Sequence, residues 1–131
     1  DQAAEPWLDE AAAQYATRLY YLDRYGEDEA DAYAASWQAR WNRVDRTPMP
    51  IGLPVSGYTP KEYGAIVYGR GPLFLEALSS SMGDEAFDRS LRSFVERFSW
   101  RIARGTDFQS TAEEQCGCDL DALFAAWVGV P

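Results

Sequence analysis

An uninterrupted helix-forming segment at the start of the chain is the feature that most constrains its fold. Pro6 suits the first position of a helix, because its missing N–H is not needed there and its φ is already helical. No further proline or glycine occurs until Gly26, which can end a helix. Apolar residues recur between these two positions at helical spacing; they are Leu8, Ala11, Ala12, Tyr15, Leu19 and Leu22. The segment therefore predicts a helix over residues 6–25 with one apolar face.

Helical periodicity continues through the chain, without the alternating pattern that is typical of a strand. A second helix is predicted from Glu27 to about Val44, followed by a loop from Arg46 to Tyr58 that is rich in proline and glycine. The next segment, Thr59-Pro60-Lys61-Glu62, has the residues of a capping box, which marks the start of another helix.

The second half of the chain also predicts helices. Two glycines and a proline between Tyr68 and Pro72 weaken a helix that otherwise extends to Gly83, so that one kinked helix or two joined helices would fit. Further helices are predicted to begin at capping residues; these are Asp84, Thr106 or Asp107, and Asp119. The sequence therefore predicts an all-α array of about six or seven helices in a single helical domain, residues 1–131.

Composition and charge exclude several classes of protein. The 131 residues are 47% hydrophobic and 15% aromatic, which is far too apolar for a disordered chain and sufficient for a core. The net charge of −9 argues against binding to nucleic acid, which needs a basic surface, and against anionic membrane surfaces. No apolar run approaches the roughly 18 residues of a membrane span. We therefore expect no nucleic acid partner and no membrane contact by this segment.

The chain contains no histidine. It therefore cannot form a Ser-His-Asp or Cys-His arrangement, or a histidine-ligated metal site, by itself. Cys116 and Cys118 are separated only by Gly117, a spacing that rarely meets disulfide geometry. Two thiols are also too few for a usual zinc site. We expect both cysteines to be free thiols.

Physical chemistry alone assigns structural roles to the most prominent side chains. Glu10 lies in the first turns of the first predicted helix, where a carboxylate interacts favourably with the helix dipole. Trp37 and Trp41 lie four residues apart and are expected to pack the second helix against the first. One alternative stays open: a stand-alone helical protein-interaction module without catalysis, which uses an aromatic groove formed by these tryptophans and the proline-rich loop.

Two motifs nevertheless resemble a known family. The segment Pro6-Trp7-Leu8-Asp9-Glu10-Ala11, with Tyr15 four residues later, resembles the Trp-Leu-Asn/Asp-Glu-Gly-x-x-x-Tyr segment of gluzincin aminopeptidases. These are zinc metallopeptidases similar to membrane alanyl aminopeptidase. In that family the Glu is the third zinc ligand, so the resemblance implies that Glu10 is a metal ligand.

The second motif is the unusual segment that interrupts the predicted helix. Val67 to Leu75 resembles the Tyr-x-Lys-Gly-Ala segment of the same aminopeptidases, in which the tyrosine hydroxyl stabilises the oxyanion. The resemblance implies that Tyr68 is a catalytic residue. Weaker matches follow in the family's order; they are the Gly-Asp-x-x-Phe helix from Gly83 and the closing Leu-x-x-x-Phe-x-x-Trp helix from Leu120.

The departures from the family limit what the resemblance implies. Ala11 replaces the usual Gly and Arg70 the usual Lys, and the chain contains no HExxH motif. In the family that upstream motif supplies two zinc ligands and the general base. The resemblance thus implies the carboxy-terminal helical part of a thermolysin-like catalytic domain, cut from a longer enzyme.

The resemblance implies that activity requires both this chain and the rest of the longer enzyme, which is called the parent below. Zinc and a peptide substrate belong to the full-length parent, and the upstream HExxH-bearing segment of the same polypeptide is the expected partner. The isolated chain is expected to be inactive, to hold no zinc tightly, and to self-associate through its uncovered apolar face. Two questions stay open: whether the parent has lost its catalytic residues, and where in or outside the cell the parent resides.

Overall fold

The computed structural model describes residues 1–45 and 49–129, and none of them forms a β-strand. Within these ranges, seven α-helices follow one another: α1 (Pro6–Tyr25), α2 (Glu27–Trp41), α3 (Pro60–Ala65), α4 (Gly71–Met82), α5 (Asp84–Phe98), α6 (Gly105–Cys116) and α7 (Asp121–Trp127). A 3₁₀ turn spans Val55–Gly57, and a π-helical turn, Ile66–Arg70, joins α3 to α4. The predicted all-α fold class is confirmed. No helix among the described residues is long and apolar enough to cross a membrane.

Helix α1 has the predicted bounds, whereas α2 and α7 are shorter than predicted. Helix α2 ends at Trp41 rather than near Val44, because the Arg43 N–H bonds to the Arg40 carbonyl at 3.0 Å, three residues back, which tightens the turn. Helix α7 begins at Asp121 rather than Asp119. The Asp119 carboxylate accepts the Asp121 N–H at 2.8 Å, a local bond that precedes the helix.

The predicted caps have mixed outcomes. The capping box at the start of α3 is present: the Thr59 hydroxyl accepts the Glu62 N–H at 3.3 Å, and the Glu62 carboxylate accepts the Thr59 N–H at 2.7 Å. Asp84 does not cap α5. It is the first residue of that helix, and its carboxylate accepts the Ser79 hydroxyl at 2.9 Å instead.

Helix α6 begins one residue before the predicted caps. Its first residue is Gly105, and Arg104 is the residue that precedes the helix. The Asp107 carboxylate accepts the Arg104 N–H at 2.8 Å, so Asp107 contributes to the start of the helix from its third position.

The expectation that both cysteines are free thiols is wrong. A disulfide bond joins Cys116 to Cys118, and their Cα atoms lie 5.2 Å apart. Gly117 makes this spacing possible, because its φ of +62° is left-handed and turns the chain back at the end of α6.

Helix α1 is central to the packing and contacts α2, α4 and the π-helical turn. Trp7 and Trp37 are both fully buried: the Trp7 ring meets the edges of Phe74 and Phe108, and Trp37 stacks on Tyr15. The expected packing of α2 on α1 through Trp37 is therefore present.

The predicted apolar face of α1 is only partly covered, because Leu19 and Leu22, in the last two turns of α1, are 36% and 41% exposed.

The segment that could be one kinked helix or two joined helices is a helix with a π-helical turn. The Gly71 N–H bonds to the Ile66 carbonyl, five residues back. This turn lies against both α1 and α2, and two glycines allow the close approach: Gly69 in the turn and Gly71, the first residue of α4. A Cβ at Gly69 would lie 2.8 Å from the Trp41 backbone nitrogen, and one at Gly71 would lie 2.9 Å from the Ala11 Cβ.

The predicted loop between α2 and α3 is described from Met49 onward; Arg46 and Pro48 lie outside the described residues. The Tyr58 hydroxyl fixes the loop by donating to the Pro50 carbonyl at 2.9 Å and accepting the Leu53 N–H at 3.1 Å. Burial raises the pKa of Tyr58 to about 12. The loop is also joined to the end of α7, since the Ile51 N–H bonds to the Trp127 carbonyl at 3.0 Å.

Replacing Gly69 by Ala should destabilise the protein by about 1–3 kcal/mol, because the new methyl group overpacks a backbone contact that cannot move away easily. Gly64→Ala in α3 is the matched control. A Cβ there meets nothing within 4 Å, so alanine should stabilise by up to about 1 kcal/mol through its helix propensity. Denaturant unfolding measures the free energy of unfolding of both variants. Equal changes in that free energy would contradict the close packing of the π-helical turn.

Tyr58→Phe should lower the free energy of unfolding by about 1–3 kcal/mol at neutral pH, because the Leu53 N–H and the Pro50 carbonyl lose their partner. The folded-state pKa of Tyr58 is raised, so its contribution is complete below pH 10 and declines as the pH rises toward about 12. The difference in unfolding free energy between wild type and variant should therefore shrink over that window, by about 1–2 kcal/mol. Tyr25→Phe, at an exposed tyrosine, should show neither effect.

Candidate active site

The fold brings together the two residues that the resemblance singles out, Glu10 on α1 and Tyr68 in the π-helical turn. The Tyr68 hydroxyl lies beside the Glu10 carboxylate, close enough for that carboxylate to influence its protonation, and both side chains are half-buried. Burial, followed by the interaction with the Glu10 carboxylate and its charge, raises the pKa of Tyr68 to about 12. The phenol is therefore protonated at neutral pH, and its O–H is available as a donor beside a carboxylate.

Tyr63 is a third member of this site that the sequence did not indicate. Its ring packs edge-to-face with the Tyr68 ring, with centroids 5.8 Å apart, and the two phenol groups influence each other's pKa. Burial, and then the charge of Glu10, raises the pKa of Tyr63. Residues five apart face different sides of a regular α-helix, so the sequence places Tyr63 with the core. The extra residue in the π-helical turn brings the two rings together.

Arg40 on α2 supports the site from behind and was also missed. Its guanidinium donates to the Tyr68 carbonyl at 3.3 Å and to the Gln14 side-chain carbonyl at 2.8 Å. The same Gln14 oxygen accepts the Tyr33 hydroxyl at 3.0 Å. The available signal was Pro72, since proline has no N–H to donate to the carbonyl four residues before it.

Arg70 fixes the other side of the π-helical turn. Its side chain is only 9% exposed, and its guanidinium donates to the Met49 carbonyl and, at 3.2 Å, to the Ala126 carbonyl. It lies between the rings of Trp41 and Trp127, with its central carbon 5.3 Å and 5.0 Å from their centroids. Burial lowers the pKa of Arg70. A planar guanidinium suits this position, since it donates in several directions while its faces stack on aromatic rings.

The chain provides one suitable ligand for a catalytic zinc ion. Catalytic zinc sites use three protein ligands, and two histidines with one glutamate are one established set. Glu10 fits the carboxylate position, since its side chain is partly accessible, but the chain has no histidine to complete the set. Elsewhere, the carboxylates of Glu113, Asp119 and Asp121 lie within 4.8 Å of one another. That cluster does not include Glu10, and the Glu113 side chain accepts the Leu120 N–H at 3.0 Å in a structural role.

The burial of the tryptophans disfavours the alternative of an aromatic recognition groove. Trp37 has no exposed surface and so offers no face to a partner. Trp41 is partly buried, and the Arg70 guanidinium lies over its ring. Their role is packing, as the spacing along α2 predicts.

Comparison with known proteins shows the family. Residues 4–127 match the model of the Peptidase family M1 domain. Aminopeptidase M1-A of Oryza sativa subsp. japonica is 31% identical over 134 residues, which cover 92% of this chain and 14% of the rice protein. Leucyl aminopeptidase of Saccharolobus solfataricus is 30% identical over 66 residues, which cover 50% of this chain and 8% of that protein.

Solved structures agree with this assignment. A crystal structure of an M1 zinc metallopeptidase from Deinococcus radiodurans is similar with a TM-score of 0.73 and 31% identity, covering 97% of this chain and 28% of that one. A mutant M1 zinc metallopeptidase from the same organism, bound to a Tyr-Ser-Ala substrate, also has a TM-score of 0.73 and 31% identity, covering 98% and 29%. The chain thus spans less than a third of these structures and a smaller share of the curated relatives. With the motifs at Glu10 and Tyr68 in the expected order, it belongs to peptidase family M1, the zinc aminopeptidase family that the sequence resembles.

Proposed function

We propose that this chain is the carboxy-terminal helical part of the catalytic domain of a zinc aminopeptidase, in which Glu10 is a zinc ligand and Tyr68 donates to the oxyanion. The observation that carries the proposal is the proximity of these two side chains: α1 packs against the π-helical turn, and the Glu10 carboxylate is near enough to the Tyr68 hydroxyl to raise its pKa. They are distant in sequence, yet α1 and the π-helical turn place an acceptor suited to a metal beside a donor suited to developing negative charge.

Each residue has a distinct task in this proposal. Zinc, when bound, polarises the substrate carbonyl and lowers the pKa of water. Glu10 supplies one carboxylate ligand from a helix whose packing fixes its position. Tyr68 keeps its proton at neutral pH and donates its O–H to the carbonyl oxygen as negative charge develops there. Tyr63, whose ring packs against the Tyr68 ring, restricts the position of that donor.

The remaining parts of the site belong to the rest of the parent protein. An HExxH-bearing segment of the same polypeptide would provide two histidine ligands and the general base, and the substrate would be a peptide cleaved from its amino terminus. Residues 1–131 then form one helical domain of that enzyme. The exposed apolar residues at the end of α1, which are Leu19, Tyr20, Leu22 and Tyr25, support the further expectation that the isolated chain self-associates.

In the full-length protein, Tyr68→Phe should lower kcat for an aminoacyl anilide by about 10²–10³-fold, because one oxyanion donor is lost. The KM and the zinc content should stay near those of wild type. Glu10→Gln should instead release zinc, which metal analysis would detect. Tyr20→Phe, at an exposed tyrosine of α1, is the control and should leave all three quantities unchanged. Full activity of Tyr68→Phe would exclude the assigned role.

The isolated chain, with its disulfide intact, should neither hydrolyse aminoacyl substrates nor retain zinc after gel filtration, because one carboxylate is a weak metal site. Metal analysis and isothermal titration with zinc measure this directly. Stoichiometric zinc that is retained by wild type and lost in Glu10→Gln would overturn the division of ligands between this chain and an upstream segment. The comparison with Glu113→Gln separates binding at Glu10 from binding at the acidic cluster near α7.

A further inference from the structure

The carbonyl of Tyr68 is a weak point of the proposed site. In an α-helix it would accept the N–H of the residue four positions later, but that residue is Pro72, which has none. The Gly71 N–H is also directed elsewhere, to the Ile66 carbonyl. The Tyr68 carbonyl therefore lacks its regular α-helical donor, and a donor from another element can take that place.

Arg40 provides that donor. Its guanidinium nitrogen Nη1 lies 3.3 Å from the Tyr68 carbonyl oxygen. The side chain reaches this oxygen beside Gly69, where an added Cβ would lie 3.1 Å from the Arg40 Cβ. A hydrogen bond from a charged donor is stronger than one between neutral groups. Arg40 therefore fixes the backbone at the residue whose side chain lies beside Glu10.

The same guanidinium nitrogen also reaches the helix that carries Glu10. It donates to the Gln14 side-chain oxygen at 2.8 Å, and Gln14 follows Glu10 by four residues, about one helical turn. The Tyr33 hydroxyl donates to that oxygen as well, at 3.0 Å. One nitrogen of Arg40 thus bonds to α1 one turn beyond Glu10 and to the π-helical turn at Tyr68.

We propose that Arg40 is a positioning residue for the aminopeptidase reaction, which holds Tyr68 at a fixed distance from Glu10. The inference rests on the proposed function, since it requires Tyr68 to be the oxyanion donor. Arg40 acts through the Tyr68 backbone and the Gln14 side chain. Its loss should therefore affect turnover, where the direction of the Tyr68 hydroxyl matters, more than substrate binding or zinc content.

The test uses the full-length protein with Arg40→Met, Arg40→Lys and the control Arg43→Met, which removes an exposed arginine from the turn that follows α2. Arg40→Met should lower kcat about 10-fold or more, because small misplacements of a catalytic group are costly. KM and zinc content should stay within about twofold of wild type. Arg40→Lys should recover part of kcat, since an ammonium can still donate to the Tyr68 carbonyl. Arg43→Met should match wild type.

A double-mutant cycle separates positioning from general damage. In the Tyr68→Phe background, Arg40→Met should change kcat by less than about twofold, because the group that it positions is already absent. A second readout is independent of activity: amide hydrogen exchange of peptides covering residues 66–73 should accelerate in Arg40→Met and not in Arg43→Met.

The outcomes distinguish this inference from the proposed function. If Tyr68→Phe lowers kcat but Arg40→Met leaves both kcat and exchange unchanged, the positioning role is wrong and the proposed function stands. An equal loss of kcat from Arg40→Met with and without the Tyr68 hydroxyl also rejects positioning. If Tyr68→Phe retains full activity, the proposed function fails and this inference fails with it.

Discussion

The close approach of the π-helical turn to α1 and α2 determines where every group of the candidate site lies. Gly69 and Gly71 have no side chains to separate the backbones, so the turn lies against Trp41 and the start of α4 lies against Ala11. Ala11 follows Glu10 directly, so the contact at Gly71 brings the Glu10 backbone close to this segment. A regular α-helix over the same residues would leave Tyr63 and Tyr68 on different faces. The site is thus a product of backbone packing as much as of its polar side chains.

Because the backbones approach so closely, the helical hydrogen-bond pattern is interrupted and other groups complete it. The Gly71 N–H bonds to a carbonyl five residues back and Pro72 has no N–H, so the Tyr68 carbonyl loses its regular helical donor and accepts a bond from Arg40. On the opposite side, Arg70 bonds to carbonyls of the loop and of α7. The hydrogen bonds of Arg40, from α2, and of Arg70, within the turn itself, therefore hold the π-helical turn in place from two sides. This arrangement fits the general observation that π-helical turns are frequent at functional sites.

Much of the fold follows from the sequence because it depends on neighbouring residues. Periodicity and the residues Pro6 and Gly26 give the bounds of α1, and Thr59 with Glu62 gives the start of α3. Features that depend on tertiary contacts were missed. The periodic face of α1 predicts that Leu19 is buried, yet periodicity does not reveal how far the neighbouring helices extend. The disulfide likewise depends on the left-handed conformation of Gly117, which the spacing of two cysteines does not reveal.

The same division applies to the candidate site. Glu10 and Tyr68 were identified by resemblance, and folding brings them close together. Pro72 signals that the Tyr68 carbonyl lacks a helical donor, but only the coordinates identify Arg40 as its partner and show Tyr63 beside Tyr68. Physical reasoning from the sequence alone favours a surface role for Glu10. It cannot detect a neighbouring side chain that is distant along the chain.

The environment of Arg70 has a consequence for how the chain responds to its solvent. The contacts described for this buried cation are two peptide carbonyls and two indole rings. Dipoles and ring faces act over short distances inside the protein, where dissolved ions do not enter. Salt weakens interactions between exposed charges of opposite sign and has little effect on buried contacts of this kind. The junction of the loop, the π-helical turn and α7 is therefore insulated from ionic strength, although the chain around it carries a net charge of −9.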